Sequence, residues 1–195
     1  MIMKKVLKWL LLAVGGMAAL MVVGVFVMWV LFFRINIVEQ KNDEQTWTSD
    51  TGTRSALILY QSSRFSLTQD TVDCMGETLQ EEGYDVIANH PRSDLVYEIE
   101  DYDVIVLCSP VYGGTVSQPL LDYASCHDFT GRRVIVVVTG KDLTTEAEVR
   151  MIEEAVKGAD DICGYKTDQA NERFKKQFLT MLNQEEKDGN PSFDK

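Results

Sequence analysis

The fold is decided by the stretch Tyr102-Asp103-Val104-Ile105-Val106-Leu107-Cys108-Ser109-Pro110-Val111-Tyr112-Gly113-Gly114. Its first half is an almost uninterrupted apolar run, which is typical of a strand covered on both faces of a parallel sheet. Its second half predicts a loop, and Ser117 with Pro119 beyond it predicts the start of a helix. A buried strand, a loop and a helix in that order indicate one βαβ unit.

The same alternation continues on both sides of this stretch. Apolar runs predict four more strands, at Ser55–Tyr60, Tyr84–Ala88, Arg133–Thr139 and Asp161–Tyr165. Amphipathic patterns predict helices over residues 68–82, 118–125, 146–157 and 169–184. Residues 55–184 therefore predict an α/β domain with a five-stranded, parallel, doubly wound sheet. In such a sheet, ligands bind beyond the C-terminal ends of the strands.

The loop after the first predicted strand is rich in hydroxyl groups. Residues 61–68 lead into a helix, and their hydroxyls belong to Ser62, Ser63, Ser66 and Thr68. A helix N-terminus carries unpaired N–H groups and a partial positive charge, so this loop can hold a phosphate. Helix capping is the alternative, because Ser66 and Gln69 fit a capping box. The loop by itself supports both interpretations.

The loop after the third predicted strand suits a flat ligand. Gly113-Gly114 allow a close approach of the backbone, and Tyr112 offers a ring for stacking. A tight turn with Tyr112 folded onto the core is the alternative, but the position after the central strand favours ligand binding. The loop from Gly140, after Thr139, gives no independent signal.

These motifs resemble the flavodoxin family. Asp103–Gly114 is similar to the flavodoxin run D-x-(I/V)-(I/V)-x-G-(S/T)-P-(V/T)-Y-x-G, with Cys108 in place of a glycine. Ser63–Thr68 is similar to the S-(K/R)-(Y/F)-G-x-T loop of flavodoxin-type protoporphyrinogen oxidases, with Ser66 in place of the glycine. The resemblance runs in order over about residues 55–183 and implies the strand order 2-1-3-4-5.

The resemblance also implies a cofactor, FMN, bound without a covalent link. Ser63, Ser66 and Thr68 would meet its phosphate, and Tyr112 and Gly113 would lie against its isoalloxazine ring. The full set of implied cofactor-binding residues is Ser62, Ser63, Arg64, Ser66, Thr68, Ser109, Pro110, Val111, Tyr112, Gly113, Gly114, Thr139 and Gly140.

Electron transfer to or from a redox protein or a membrane quinone is the function that this resemblance implies. The departure at Ser66 leaves an alternative open, because a side chain there is strained if the position needs a positive φ. Under that alternative the domain binds no flavin and acts as a membrane-tethered interaction or sensing module.

An uncharged apolar run precedes the domain. The 25 residues from Trp9 to Phe33 would form a helix about 37 Å long, enough to cross a hydrocarbon core of about 30 Å. The run exceeds the roughly 7–15 residues of a signal-peptide core and lacks a small-residue cleavage site. Residues 1–35 therefore predict a single-pass anchor in the cell membrane. Lys4, Lys5 and Lys8 against Arg34 and Lys41 favour a cytoplasmic N-terminus, with the domain outside.

The remaining sequence gives mainly exclusions. Residues 36–54 predict a polar linker and residues 185–195 a disordered tail. The net charge of -11, without a basic stripe, argues against nucleic-acid binding. His90 and His127 lack partners at metal-ligand spacing, so we expect no metal and two exposed histidines. The four cysteines lack a CxxC or metal-ligand pattern and are expected to be buried apolar residues.

Overall fold

The computed structural model describes residues 2–184, without the side chains of residues 2–7 and 31–33. The tail predicted to be disordered, residues 185–195, lies outside the described residues. The chain divides into two compact units, Met1–Arg34 and Ile35–Lys195.

The first unit belongs to one long helix, α1, over Ile2–Ile37. By length and composition, the part from Lys8 to Ile37 could cross a membrane, and a signal sequence near an N-terminus meets the same test. The predicted orientation, with the N-terminus in the cytoplasm, stays a prediction.

The second unit contains a six-stranded sheet in the order β1-β3-β2-β4-β5-β6. Its strands are β1 Gln45–Trp47, β2 Arg54–Tyr60, β3 Tyr84–Asn89, β4 Val104–Pro110, β5 Arg133–Thr139 and β6 Asp161–Thr167. Strands β2 to β6 are parallel and lie in the order β3-β2-β4-β5-β6. This is the predicted order 2-1-3-4-5, counted from β2 as the first strand. The α/β class and the doubly wound parallel sheet are therefore confirmed.

The strand count of five was wrong, because the expected linker, residues 36–54, contains β1. This strand pairs antiparallel with β3, with Gln45 opposite Ala88 and Trp47 opposite Val86. Three residues are too few to show an alternating pattern in the sequence. The Trp47 ring lies on the bare backbone of Gly76, where an added Cβ would come 2.6 Å from Trp47 Cε2. Trp47 thus joins the edge strand to the helix behind it.

Four helices cover the two faces of the sheet: α2 Leu67–Glu81, α3 Gln118–Cys126, α4 Ala147–Glu153 and α5 Glu172–Leu182. Helices α2 and α5 pack on one face, where Met75, Leu79 and Phe178 are buried. Helices α3 and α4 pack on the other, where Leu120 and Ile152 are buried. This two-sided cover explains why β4 and β5 are buried along their whole length.

Two helix termini differ from prediction by three residues or more. Helix α4 was expected to reach residue 157 but ends at Glu153, because the Lys157 carbonyl accepts a hydrogen bond from Phe129 N–H at 2.9 Å. Helix α5 was expected from residue 169 but begins at Glu172, because the Asn171 side chain caps the N–H groups of Arg173 and Phe174.

Residues 35–44, which we call the strap, lie along the ends of β2 and β3. Gln61 Nε2 donates to the carbonyls of Ile35 and Val38, at 2.6 and 3.1 Å. Further along, Asp43 N–H donates to Asn89 Oδ1 at 3.2 Å. Hydrogen bonds to folded strands thus fix this part of the expected linker in place.

Candidate functional site

A crevice of about 550 Å³ opens at the C-terminal ends of β2, β4, β5 and β6, where the order of the strands reverses between β2 and β4. Its walls are mostly apolar and consist of Ser63, Phe65, Leu67, Thr68, Pro110, Val111, Tyr112, Thr139, Gly140, Lys141 and Asp168. Two concavities of similar volume lie elsewhere, one before the N-terminal ends of β4 and β5 and one along α4. Of these three, the crevice between the ends of β2 and β4 has the position at which doubly wound sheets bind ligands.

The second loop is a tight turn that needs its two glycines. Gly113 and Gly114 have φ of 62° and 75°, and among residues 2–184 only glycines adopt positive φ. Tyr112 N–H donates to the Thr115 carbonyl at 3.1 Å, and Thr115 N–H returns a bond at 3.3 Å. The turn therefore presents Tyr112 at the crevice while its tip remains exposed.

The base of the second loop is held by Ser109. This residue is fully buried, and its hydroxyl accepts a bond from Ser117 N–H at 2.8 Å and donates to the Pro110 carbonyl at 3.0 Å. Ser117 in turn caps α3, accepting from Leu120 N–H at 3.3 Å, as predicted. In this structure Ser109 shapes the loop and does not line the crevice.

The first loop accommodates Ser66 without backbone strain. Its φ of -64° and ψ of -18° are right-handed helical values that any residue adopts. The alternative of a capping box is not what the structure shows, because the Ser66 hydroxyl donates to Asp70 Oδ2 at 2.8 Å and makes no cap bond. The hydroxyl of Ser63 donates to the Phe65 carbonyl. Both hydroxyls are thus bonded within the loop and the first turn of α2.

Two buried threonines join the first loop to the end of β5. Thr68 and Thr139 lie with their Oγ1 atoms 2.7 Å apart, and both side chains are buried. A hydroxyl can donate one bond and accept two, so each retains capacity for a second partner. This contact fixes the floor of the crevice between α2 and β5.

Tyr112 and the first loop meet across the mouth of the crevice. The Tyr112 hydroxyl accepts a hydrogen bond from the Arg64 backbone N–H at 2.7 Å. The Tyr112 ring, which is expected to stack on a flat ligand, is therefore held beside the first loop, which is expected to bind a phosphate. The alternative of a Tyr112 folded onto the core is not what the structure shows, since the ring is half-buried and lines the crevice.

The sequence prediction and the crevice overlap in part. Of the predicted residues, the crevice lining includes Ser63, Thr68, Pro110, Val111, Tyr112, Thr139 and Gly140. It does not include Ser62, Arg64, Ser66, Ser109, Gly113 and Gly114, which lie in the same loops. Sequence reasoning missed Phe65, Leu67, Lys141 and Asp168. Asp168 directly follows β6, so the rule that ligands lie beyond strand ends was the signal that could have found it.

His90 lies behind the first loop and was wrongly expected to be exposed. It is 4% exposed, and its Nδ1 donates to the Tyr60 carbonyl at 2.8 Å. Its Nε2 lies 3.5 Å from the Ser62 hydroxyl. Burial lowers the pKa of His90 below its ordinary value, and the bond to Tyr60 opposes this only in part. His90 therefore supports the loop as a neutral ring.

The other exposure predictions are mixed. His127 is half-buried and stacks on Tyr123, with ring centroids 3.8 Å apart. Cys108 is buried as expected, and burial raises the pKa of its thiol. Cys74 and Cys163 are only half-buried and Cys126 is exposed, so the expectation was wrong for Cys126.

Flavodoxins are among the solved structures to which the chain is similar. A Streptococcus pneumoniae flavodoxin has a TM-score of 0.54 and 18% identity, over 65% of this chain and 94% of that chain. Flavodoxin 2 of Bacillus cereus has a TM-score of 0.52 and 20% identity, over 67% and 99%. A Fusobacterium nucleatum flavodoxin, solved with flavin mononucleotide bound, has a TM-score of 0.51 and 17% identity, over 69% and 98%.

No family model and no curated protein matches the chain. At these identities the solved structures bear on the arrangement of strands and helices. That arrangement spans almost the whole length of each flavodoxin compared. The chain therefore has a flavodoxin-like fold.

Proposed function

We propose that this chain is a membrane-anchored flavodoxin-like protein that binds FMN and transfers electrons. The observation that carries the proposal is the crevice at the reversal of strand order, with the Tyr112 ring on one side and the start of α2 on the other. The Fusobacterium nucleatum flavodoxin, which shares the fold, binds flavin mononucleotide.

The residues present fit this cofactor in size and chemistry. A volume of about 550 Å³ lies within the range of small-molecule sites, roughly 300–1,000 Å³. Helix α2 has 15 residues, so its N-terminus offers unpaired N–H groups and a partial positive charge to a phosphate. The right-handed backbone of Ser66 removes the strain argument against this loop.

The flavin, when bound, supplies the redox chemistry. The chain's own residues hold it and limit its contact with water. Ser63 and the N–H groups that begin α2 would hold the phosphate, the Tyr112 ring would stack, and Val111 would supply apolar contact. Ser109 and the Thr68–Thr139 contact would keep these groups in position.

The anchor in this proposal is α1. Its apolar length supports insertion in a membrane. A redox protein or a membrane quinone would then exchange electrons with the domain. The orientation that the flanking lysines favour, with the domain outside, remains part of the proposal.

A second candidate function is an interaction or sensing module that binds no flavin. It is favoured by the hydroxyls of Ser63 and Ser66, which are already bonded to Phe65 and Asp70. The Asp70 carboxylate would also stand in the first turn of α2, close to an incoming phosphate, and like charges repel.

The experiment that separates the two candidates uses the full chain in lipid nanodiscs. FMN is added, the excess is removed, and the visible spectrum and flavin fluorescence are recorded. Retained flavin with quenched fluorescence supports the proposal, and a folded colourless protein supports the second candidate. Replacement of Ser62, Ser63 and Ser66 together by Ala should weaken binding, because Ser63 would lose its contact with the phosphate. Ser125→Ala, at the opposite edge of the sheet, is the control that should bind as the parent does.

A further inference from the structure

The strap touches both loops of the candidate site through side-chain amides. Gln40 Nε2 donates to the Ser62 carbonyl at 3.2 Å, and Gln40 Oε1 accepts from Ser62 N–H at 3.2 Å. Asn36 Nδ2 donates to the Thr115 carbonyl at 2.9 Å. One short segment thus bonds to the start of the first loop and to the turn that carries Tyr112.

The strap contacts the two loops through polar side chains. Two of its apolar side chains, Ile37 and Val38, are 61% and 47% exposed, while Ile35 is half-buried. The Asn36 and Gln40 amides face inward, since Asn36 is 3% exposed and Gln40 is half-buried, whereas Asn42 is exposed. Apolar burial is the usual reason why a segment packs on a domain. It does not account for the contacts of Asn36 and Gln40, which are made by side-chain amides.

The contact between the strap and the domain is also polar in its buried part. Gln61 is fully buried and uses its Nε2 for the strap carbonyls. Gln61 Oε1 and Asn36 Oδ1 are buried without a hydrogen-bond donor among the described residues. Buried polar groups of this kind are costly for folding. An arrangement selected for stability alone would favour apolar residues at these positions.

We propose that Gln40 and Asn36 are positioning residues of the candidate site. Gln40 fixes the backbone of Ser62 at the entry of the first loop, and Asn36 fixes the turn between Tyr112 and Thr115. Because Asn36 and Gln40 make these bonds, the geometry of the site depends on how residues 35–40 are held. This inference rests on the proposed function where it concerns FMN, while the contact between strap and loop stands independently of it.

The test measures amide hydrogen exchange and FMN affinity on the full chain in nanodiscs. Gln40→Ala removes both bonds to Ser62, and Gln40→Glu keeps the acceptor and loses the donor. Glu39→Ala is the matched control, because Glu39 Oε1 accepts from Ser93 N–H at 3.0 Å, away from both loops. Gln40 is only half-buried, so its variants are expected to fold, as unchanged far-ultraviolet dichroism would verify.

Gln40→Ala should raise exchange in residues 61–66 and weaken FMN binding about tenfold, with Gln40→Glu between it and the parent. Glu39→Ala should change neither quantity. Equal exchange in Gln40→Ala and the parent would overturn the inference. Faster exchange with unchanged FMN affinity would also overturn it, since the strap would then not position the site. If the parent binds no FMN, the proposed function fails, and exchange alone decides whether the strap holds the loop.

Discussion

The Tyr112 hydroxyl oxygen and the Arg64 backbone nitrogen lie 2.7 Å apart, joined by a hydrogen bond across the mouth of the crevice. The two residues come from loops that follow different strands, β4 and β2. In the proposed function, the same N–H group belongs to the loop that holds a phosphate. The hydroxyl of Tyr112 and the phosphate of FMN would therefore compete for one donor.

The first prediction follows from this competition. Tyr112→Phe keeps the ring for stacking and leaves the Arg64 N–H to the phosphate, so FMN should bind about two- to tenfold more tightly. The free protein should lose about 1 kcal/mol of unfolding free energy with the hydrogen bond. Fluorescence titration and urea unfolding measure the two effects. Tyr112→Ala is the control and should weaken binding, because it removes the ring. Equal weakening in both variants would contradict the prediction.

The second prediction concerns the carboxylate beside the phosphate loop. Asp70 accepts a hydrogen bond from the Ser66 hydroxyl at 2.8 Å and lies in the first turn of α2. Asp70→Asn removes a negative charge that opposes a phosphate, so FMN should bind at least about threefold more tightly than it does to the parent. Riboflavin, which has no phosphate, is the matched ligand and should show no change. A similar gain for riboflavin would show that Asp70 acts on the ring or on stability.

The sequence revealed the strands better than it revealed the site. Long apolar runs in β4 and β5 report burial on both faces, which is a property of each segment by itself. Strand β1 escaped detection because its stability comes from pairing with β3 and from the contact of Trp47 with Gly76. Neither partner is close to β1 in sequence. Local sequence patterns therefore predict strands that are buried on both faces, and they do not predict a strand whose stability depends on distant partners.

The side-chain partners in the loops were the least predictable feature. Ser66 and Gln69 have capping-box spacing, yet Ser66 turns to Asp70 because its own backbone is already helical. His90 precedes a proline and looks like a loop residue, but the Tyr60 carbonyl and the Ser62 hydroxyl enclose it. These choices depend on which distant atoms the fold brings within hydrogen-bond distance, and one sequence contains no record of that.

The third prediction is a loss of stability in mild acid that depends on His90. Burial lowers the pKa of His90 in the folded state below its ordinary value of 6.5, with Arg92 also lowering it and Asp43 opposing. As the pH falls through about 6.5, the unfolded chain binds a proton that the folded chain does not. The contribution of His90 to the unfolding free energy should therefore be constant well above pH 6.5 and fall as the pH drops below 6.5, until the folded pKa is reached.

His90→Asn tests this assignment, because an Asn side chain can still donate to the Tyr60 carbonyl but does not titrate. Urea unfolding at pH 7.5 and 5.5 should show a smaller loss for the variant than for the parent. His127→Asn, which also removes one histidine, serves as the control. The assignment fails if the parent and His90→Asn lose the same free energy between the two pH values.

The fourth prediction concerns where a stable soluble domain begins. A chain of residues 50–195 lacks the strap and β1, so it loses the contact of Trp47 with Gly76 and exposes the edge of β3. Removal of a large aromatic contact costs about 3–5 kcal/mol in a full core, and the half-buried position of Trp47 places the expected cost nearer 2–3 kcal/mol. A chain of residues 35–195 keeps both elements and should unfold at a higher urea concentration. Equal urea midpoints and slopes for the two chains would mean that the strap and β1 contribute nothing to folding, and their contacts with Ser62 and Asn89 would then be incidental.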